Sequence, residues 1–158
     1  MKSSNKILFY DTQISEEAKI YLYDVISSNF ISAGNVADDF EKSLSRELGI
    51  INPVSVNSGT SALHLALEVA GISSGDEVIL PAQTFIASGL SILMAGAKPV
   101  FADIQYDTGN IDPKFIEDNI TKRTKAIMPV HWGGYPCDMD EINEIAKKFD
   151  LIVIEDAA

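Results

Sequence analysis

The spacing of apolar residues changes once along the chain. Phe40, Leu44 and Leu48 recur at every fourth position, as on one face of a helix. Gly49 follows as its terminator. Before them, ISAGNVADDFE contains a turn at Gly34 and Asn35, so residues 1–50 are expected to be a helical segment. From residue 53 onward, short apolar runs alternate with longer stretches of helical period. VSV (54–56), VIL (78–80), PVFADI (99–104), KAIMPV (125–130) and LIVIE (151–155) predict strands. TSALHLALEVAG (60–71), TFIASGLSILMAG (84–96), DPKFIEDNI (112–120) and DMDEINEIAKKF (138–149) predict the helices between them. The first of these is apolar nearly all round and is expected to be buried. Pro113 suits a first helical turn. Asp138 and Glu141 have the spacing of a capping box, ahead of an apolar face of Met139, Ile142, Ile145, Ala146 and Phe149.

Strand and helix alternating in this way predict an α/β fold: a mostly parallel sheet with helices on both faces, over residues 51–158. In such sheets ligands bind beyond the carboxyl ends of the strands. That rule selects residues 57–61, 81–85, 131–137 and 156 onward as the places to look for chemistry.

Charge and composition narrow the possibilities. The formal net charge is −11, from 12 Lys+Arg against 23 Asp+Glu, and such a surface repels a phosphate backbone. Nucleic acid is therefore not an expected partner, although a local helix end can still hold a small anion. Cys137 is the single cysteine, so no disulfide forms within the chain, which fits a reducing, cytoplasmic compartment. The apolar run Ile7–Tyr10 is too short for a signal peptide. Residues 78–97 carry no charge, but Pro81, Gln83, Thr84, Ser88 and Ser91 interrupt them. A buried strand, a turn and a buried helix describe them better than a membrane span.

Four loops carry candidate chemistry. NSGTS (57–61) follows a strand and opens a helix. Gly59 allows close approach, the N–H groups of Thr60, Ser61 and Ala62 lie at the positive end of the helix dipole, and Thr60 or Ser61 adds a hydroxyl. That set suits a phosphate, and it equally suits an ordinary helix cap. In PAQTF (81–85), Phe85 sits one residue into its helix, where it could stack on a flat ring or fill the core. In PVHWGGYPCD (129–138), His131 and Trp132 emerge at a strand end beside two glycines, to contact a ligand or to brace the loop. His64 is the only other histidine and lies inside a helix, so no two-histidine metal site is expected. Cys137 has nothing near it in sequence to lower its pKa and reads as filling. The fourth loop begins at Asp156, delivered by an apolar strand to a rim of low dielectric. A carboxylate there needs a cationic partner or good donors. A protonated ring nitrogen is one such partner and a metal another. The metal reading would need G-x-x-x-x-G-K-[ST], which the chain lacks, as it lacks G-x-G-x-x-G.

In the order NSGTSALHLAL, GDEVILPAQTF, GAKPVFADI, TKAIMPVHWGG, DMDEINEIAKKF and LIVIEDAA, these segments resemble the DegT/DnrJ/EryC1/StrS family. Its members are pyridoxal 5'-phosphate (PLP) sugar aminotransferases of fold type I. The resemblance runs from about residue 30 to 158, and ISAGNVADDFEKSLSRELG is similar to the family's N-terminal segment. It implies that Gly59, Thr60 and Ser61 hold the cofactor phosphate, that Phe85 stacks on its ring, and that Asp156 holds the protonated ring nitrogen. His131 matches the family's PVH, and with Trp132 it is a candidate for substrate contact or support. HWGGYPCD departs from the commoner form of that loop. The resemblance further implies transfer of an amino group from an amino acid, glutamate, to a nucleotide-linked keto sugar. The products would serve amino-sugar and polysaccharide biosynthesis, and the enzyme would be a homodimer. In the family a glutamine follows EDAA and the Schiff-base lysine comes later. None of the ten lysines, at 2, 6, 19, 42, 98, 114, 122, 125, 147 and 148, stands at a matching position. The chain thus reads as the front part of the large domain, without the lysine region and without the small C-terminal domain. Two rival readings follow: a non-catalytic module that binds PLP or a sugar nucleotide, and a PLP-dependent sugar dehydratase.

Overall fold

The computed structural model describes residues 12–158, which divide into a helical unit ending at Val54 and an α/β unit over Ser55–Ala158. The apolar run at 7–10 lies outside the described residues. In the helical unit, Ser15 caps α1 (Glu16–Ser27) by accepting from the Ala18 N–H, and Gly49 ends α2 (Asn35–Leu48) in the left-handed conformation. Neither helix buries a residue: Phe40 and Leu48, on the face marked by the sequence, are exposed.

The α/β unit is built on four parallel strands in the order β2-β1-β3-β4. After α3 (Gly59–Val69) the chain alternates: β1 (Glu77–Pro81), α4 (Ile86–Met94), β2 (Lys98–Ala102), α5 (Pro113–Asp118), β3 (Thr124–Ile127), α6 (Met139–Phe149) and β4 (Ile152–Val153). The side-chain alternation of β1 sorts the core into two layers. Val78 and Leu80 pack with Leu63 and Leu67 of α3 and Ile92 of α4. Ile79 faces the other way, into Ile116 of α5 and Ile142 and Ala146 of α6. Helices therefore cover both faces, as the alternation predicts. No helix of the described residues is long and apolar enough to cross a membrane.

Three expectations fail locally. VSV (54–56) is not a strand. Val54 and Val56 are exposed, and no strand among the described residues pairs with them. Helix α3 buries only Leu63 and Leu67, leaving Leu65 and Val69 exposed, because one sheet face covers one side of it. His64 lies half-buried on it, with Nε2 3.3 Å from Oε1 of Glu68. Asp138 precedes α6 but makes no capping bond. Its carboxylate instead accepts from the Gln105 side-chain amide at 2.6 Å, so a tertiary partner has displaced the local one.

The amino end of the sheet is tied by an ion cluster. Glu77 is 2% exposed at the start of β1. It accepts from the Thr121 hydroxyl at 2.6 Å, from Arg123 at 2.7 Å and from Lys98 at 3.4 Å. The Thr121 bond, aided by those cations against the effect of burial, holds its carboxyl down to about 2. A value depressed by folding gives stability that is present above the unfolded carboxylate value and lost as pH falls through the folded one. Glu77→Gln is expected to lower the melting temperature at pH 7, and its gap to wild type should close between pH about 4.5 and about 2. Melting curves taken across that window check it, and a gap unchanged down to pH 2 would refute it.

Candidate active site

The carboxyl ends of β1, β3 and β4 and the amino ends of α3 and α4 converge on a cavity of about 330 Å³. Small-molecule sites run from roughly 300 to 1,000 Å³. Gly59, Thr60, Thr84, Phe85, His131, Trp132 and Asp156 line it. Six of the seven residues singled out in the sequence thus meet in one place.

Ser61 does not line it. The Ser58 hydroxyl caps α3 by accepting from the Ser61 N–H at 3.1 Å, and the Ala62 N–H bonds the Ser58 carbonyl. The Ser61 hydroxyl donates to Oδ1 of Asn57 at 2.8 Å. Both Ser61 groups are spent on closing the first helical turn. The amides of Gly59 and Thr60, with the Thr60 side chain, are what the helix end offers to an anion.

Phe85 lies at the N-cap of α4, one residue earlier than the sequence suggests, and is 74% exposed. It is a wall of the cavity and not a core residue. Cys137 is buried, its thiol donates to the Val130 carbonyl at 3.2 Å, and burial pushes its pKa up. His131 is fixed on both ring nitrogens. Nδ1 accepts the Cys137 N–H at 3.1 Å, which leaves the ring proton on Nε2, 2.9 Å from Oε2 of Glu155. The two glycines after Trp132 have φ of +62° and +81°, which turns the chain back towards Pro136.

Asp156 is held by the sheet. Its N–H donates to the Pro129 carbonyl at 2.9 Å and its carbonyl accepts from the His131 N–H at 3.1 Å, so the β3–β4 pairing runs on past the named strands. The residue is 7% exposed. Oδ2 accepts from the Ser88 hydroxyl at 2.7 Å and Oδ1 from the Ala158 N–H at 3.3 Å. No lysine or arginine among the described residues pairs with it. A carboxylate has about four acceptor sites, so this one retains capacity for a cationic donor. Among the described residues, no cluster of His, Cys, Asp and Glu could hold a metal. The sequence reading missed Thr84 and Ser88, although their hydroxyls stand four residues apart across the start of a helix it had placed.

The family model described as the DegT/DnrJ/EryC1/StrS aminotransferase family matches residues 12–158. The chain is 47% identical over 139 residues to a GDP-perosamine synthase of Caulobacter vibrioides, covering 87% of this chain and 38% of that protein. It is 41% identical over 145 residues to a UDP-4-amino-4-deoxy-L-arabinose–oxoglutarate aminotransferase of Shewanella sediminis, covering 92% and 37%. Among solved structures, NtdA of Bacillus subtilis with bound cofactor PMP superposes with a TM-score of 0.85 at 40% identity, covering 88% of this chain and 32% of that one. The chain thus spans well under half the length of the relatives it matches. The α/β fold expected from the sequence is that of these aminotransferases.

Proposed function

The chain belongs to the DegT/DnrJ/EryC1/StrS aminotransferase family, and from that premise we propose that its cavity is the pyridoxal phosphate site of an enzyme that aminates a nucleotide-linked keto sugar. The observation that carries the reading is Asp156: a buried carboxylate with no lysine or arginine beside it among the described residues, set at a strand end among residues suited to the rest of the cofactor. Bound there, the cofactor supplies an electron sink for carbanion chemistry. Asp156 binds the ring nitrogen and keeps its proton in place. The amides of Gly59 and Thr60, with the Thr60 hydroxyl, hold the phosphate at the amino end of α3. Phe85 covers the ring face and excludes water. His131 and Trp132 form the wall on the side where a substrate enters.

No lysine lines the cavity among the described residues. Lys98 sits at the opposite end of the sheet, beside Glu77. The proton-transferring amine is therefore not assigned to any of the described residues; the family resemblance supports a cytoplasmic homodimer as the form of the whole enzyme. The oxoglutarate in the name of the Shewanella relative supports glutamate as the amino donor.

Pyridoxamine phosphate needs no lysine to bind and is the direct probe. The 158-residue chain is expected to bind it reversibly, and to bind pyridoxamine, which lacks the phosphate, at least ~100-fold more weakly, the loss of several charge-assisted bonds. Fluorescence titration of both ligands measures this. No saturable binding of the phosphorylated ligand, or equal binding of the two, would overturn the assignment.

A further inference from the structure

Two fully buried serines sit on α4, and they behave differently. Ser91 gives its hydroxyl proton to the Ser88 carbonyl at 2.8 Å, the ordinary bond of a serine within a helix. Ser88 has a similar acceptor available in the Phe85 carbonyl, at 3.2 Å. Its shorter bond, at 2.7 Å, goes instead to Oδ2 of Asp156, 68 residues away in sequence. A hydroxyl has one proton to give. Ser88 gives it to the charged acceptor, so its oxygen is left to accept from Thr84, whose Oγ1 is 2.6 Å away. Thr84 lines the cavity, whereas Ser88 is 0% exposed behind it. The three side chains make a line of hydroxyl bonds from the cavity wall through α4 to the carboxylate.

We propose that Ser88, oriented by Thr84, is a positioning residue that fixes one oxygen of Asp156 and so presents the other to the ring nitrogen of the cofactor. The proposal rests on the cofactor reading above. The backbone of Asp156 is locked by the Pro129 and His131 bonds, so rotation of its side chain is the freedom that remains. The Ala158 N–H is a weak restraint on that rotation, at 3.3 Å from Oδ1. The Ser88 hydroxyl is the strong one. Without it the carboxylate can turn, and the geometry at the ring nitrogen is lost while the phosphate contacts stay.

The test compares two ligands that differ only at the ring nitrogen: pyridoxamine phosphate and its 1-deaza analogue, in which carbon replaces that nitrogen. In the full 158-residue chain, Ser88→Ala is expected to weaken pyridoxamine phosphate by about tenfold, the scale of one hydrogen bond to a charged group. Binding of the deaza analogue should be unchanged. Thr84→Val, which leaves α4 intact, should give a smaller loss with the same selectivity. Ser91→Ala should alter neither ligand. Ser88→Ala and Thr84→Val that bind pyridoxamine phosphate as wild type does would overturn the proposal, as would equal weakening of both ligands. A wild-type chain that takes up neither ligand would instead remove the cofactor reading on which the proposal stands.

Discussion

Replacing Asp156 with alanine is expected to weaken pyridoxamine phosphate binding by roughly 10²–10³-fold, the scale on which removing one partner of a buried charge pair acts. In an enzyme that carries this segment with its lysine, transamination should be abolished. The fold should survive. Asp156 contributes little to stability that its backbone does not already supply, because the Val130 bridge and the Pro129 and His131 bonds are main-chain interactions. A buried carboxylate with no cation beside it costs free energy in the absence of a ligand. Asp156→Asn, neutral and nearly isosteric, is therefore expected to melt no lower than wild type while keeping most of the affinity loss. Calorimetric titration and thermal melts of both variants separate the two effects. Retention of binding in Asp156→Ala, or a melting temperature that drops in step with affinity, would remove the assigned role.

Much of this was readable before any coordinates, for identifiable reasons. The two central strands announce themselves because a strand buried on both faces is a continuous apolar run, as in Val78–Leu80 and Ala126–Met128, whereas the edge strands β2 and β4, which leave Phe101 and Ile152 exposed, are marked by their place in the strand–helix alternation. The placement of Asp156 follows from that run and from the rule that ligands sit beyond the carboxyl ends of parallel strands. What escaped were choices among equivalent local partners. Nothing in NSGTS says which hydroxyl closes the helix turn; the structure uses that of Ser58, spends the Ser61 hydroxyl on Asn57 and leaves Thr60 to the cavity. Asp138 has the spacing of a cap, but Gln105, 33 residues away, claims its carboxylate. Ser88 looks like any helix serine until a distant carboxylate is seen 2.7 Å from it. VSV has the composition of a strand and lacks only a neighbour. In NSGTS the competing partners, Asn57 and Ser58, are local; in the other cases tertiary context decided, and a sequence window does not contain it.

The opposite balance of stability and binding is expected at Asn110. Its side chain is 1% exposed and makes three bonds to backbone at both ends of the 131–137 loop. Nδ2 donates to the carbonyls of Tyr135 and Pro136, each at 2.9 Å, and Oδ1 accepts the Trp132 N–H at 2.9 Å. Beside it, Gly109 has φ +73°, and a Cβ there would stand 2.9 Å from Cδ1 of the Trp132 ring, so the indole rests directly on that backbone. One amide thus fixes the loop that carries His131 and Trp132 into the cavity. Asn110→Ala leaves two carbonyls without their donor, while the Trp132 N–H keeps its other acceptor, the Val130 carbonyl at 2.9 Å. Part of that is recovered from water, since Trp132 and Tyr135 are near the surface, so the net cost should be about 2–3 kcal/mol. For an α/β unit of this size the melting temperature should then fall by roughly 8–15 °C. Asn110→Asp should be worse. It keeps the acceptor for Trp132 but turns a carboxylate oxygen towards two carbonyls that need a donor. Trp132 is the chain's one tryptophan, so its emission reports the loop alone, and in both variants it should shift to the red before the global melt. A melting point within about 2 °C of wild type, with tryptophan emission unchanged, would mean that the loop is held by its glycine turn and the Cys137–His131 bond without Asn110.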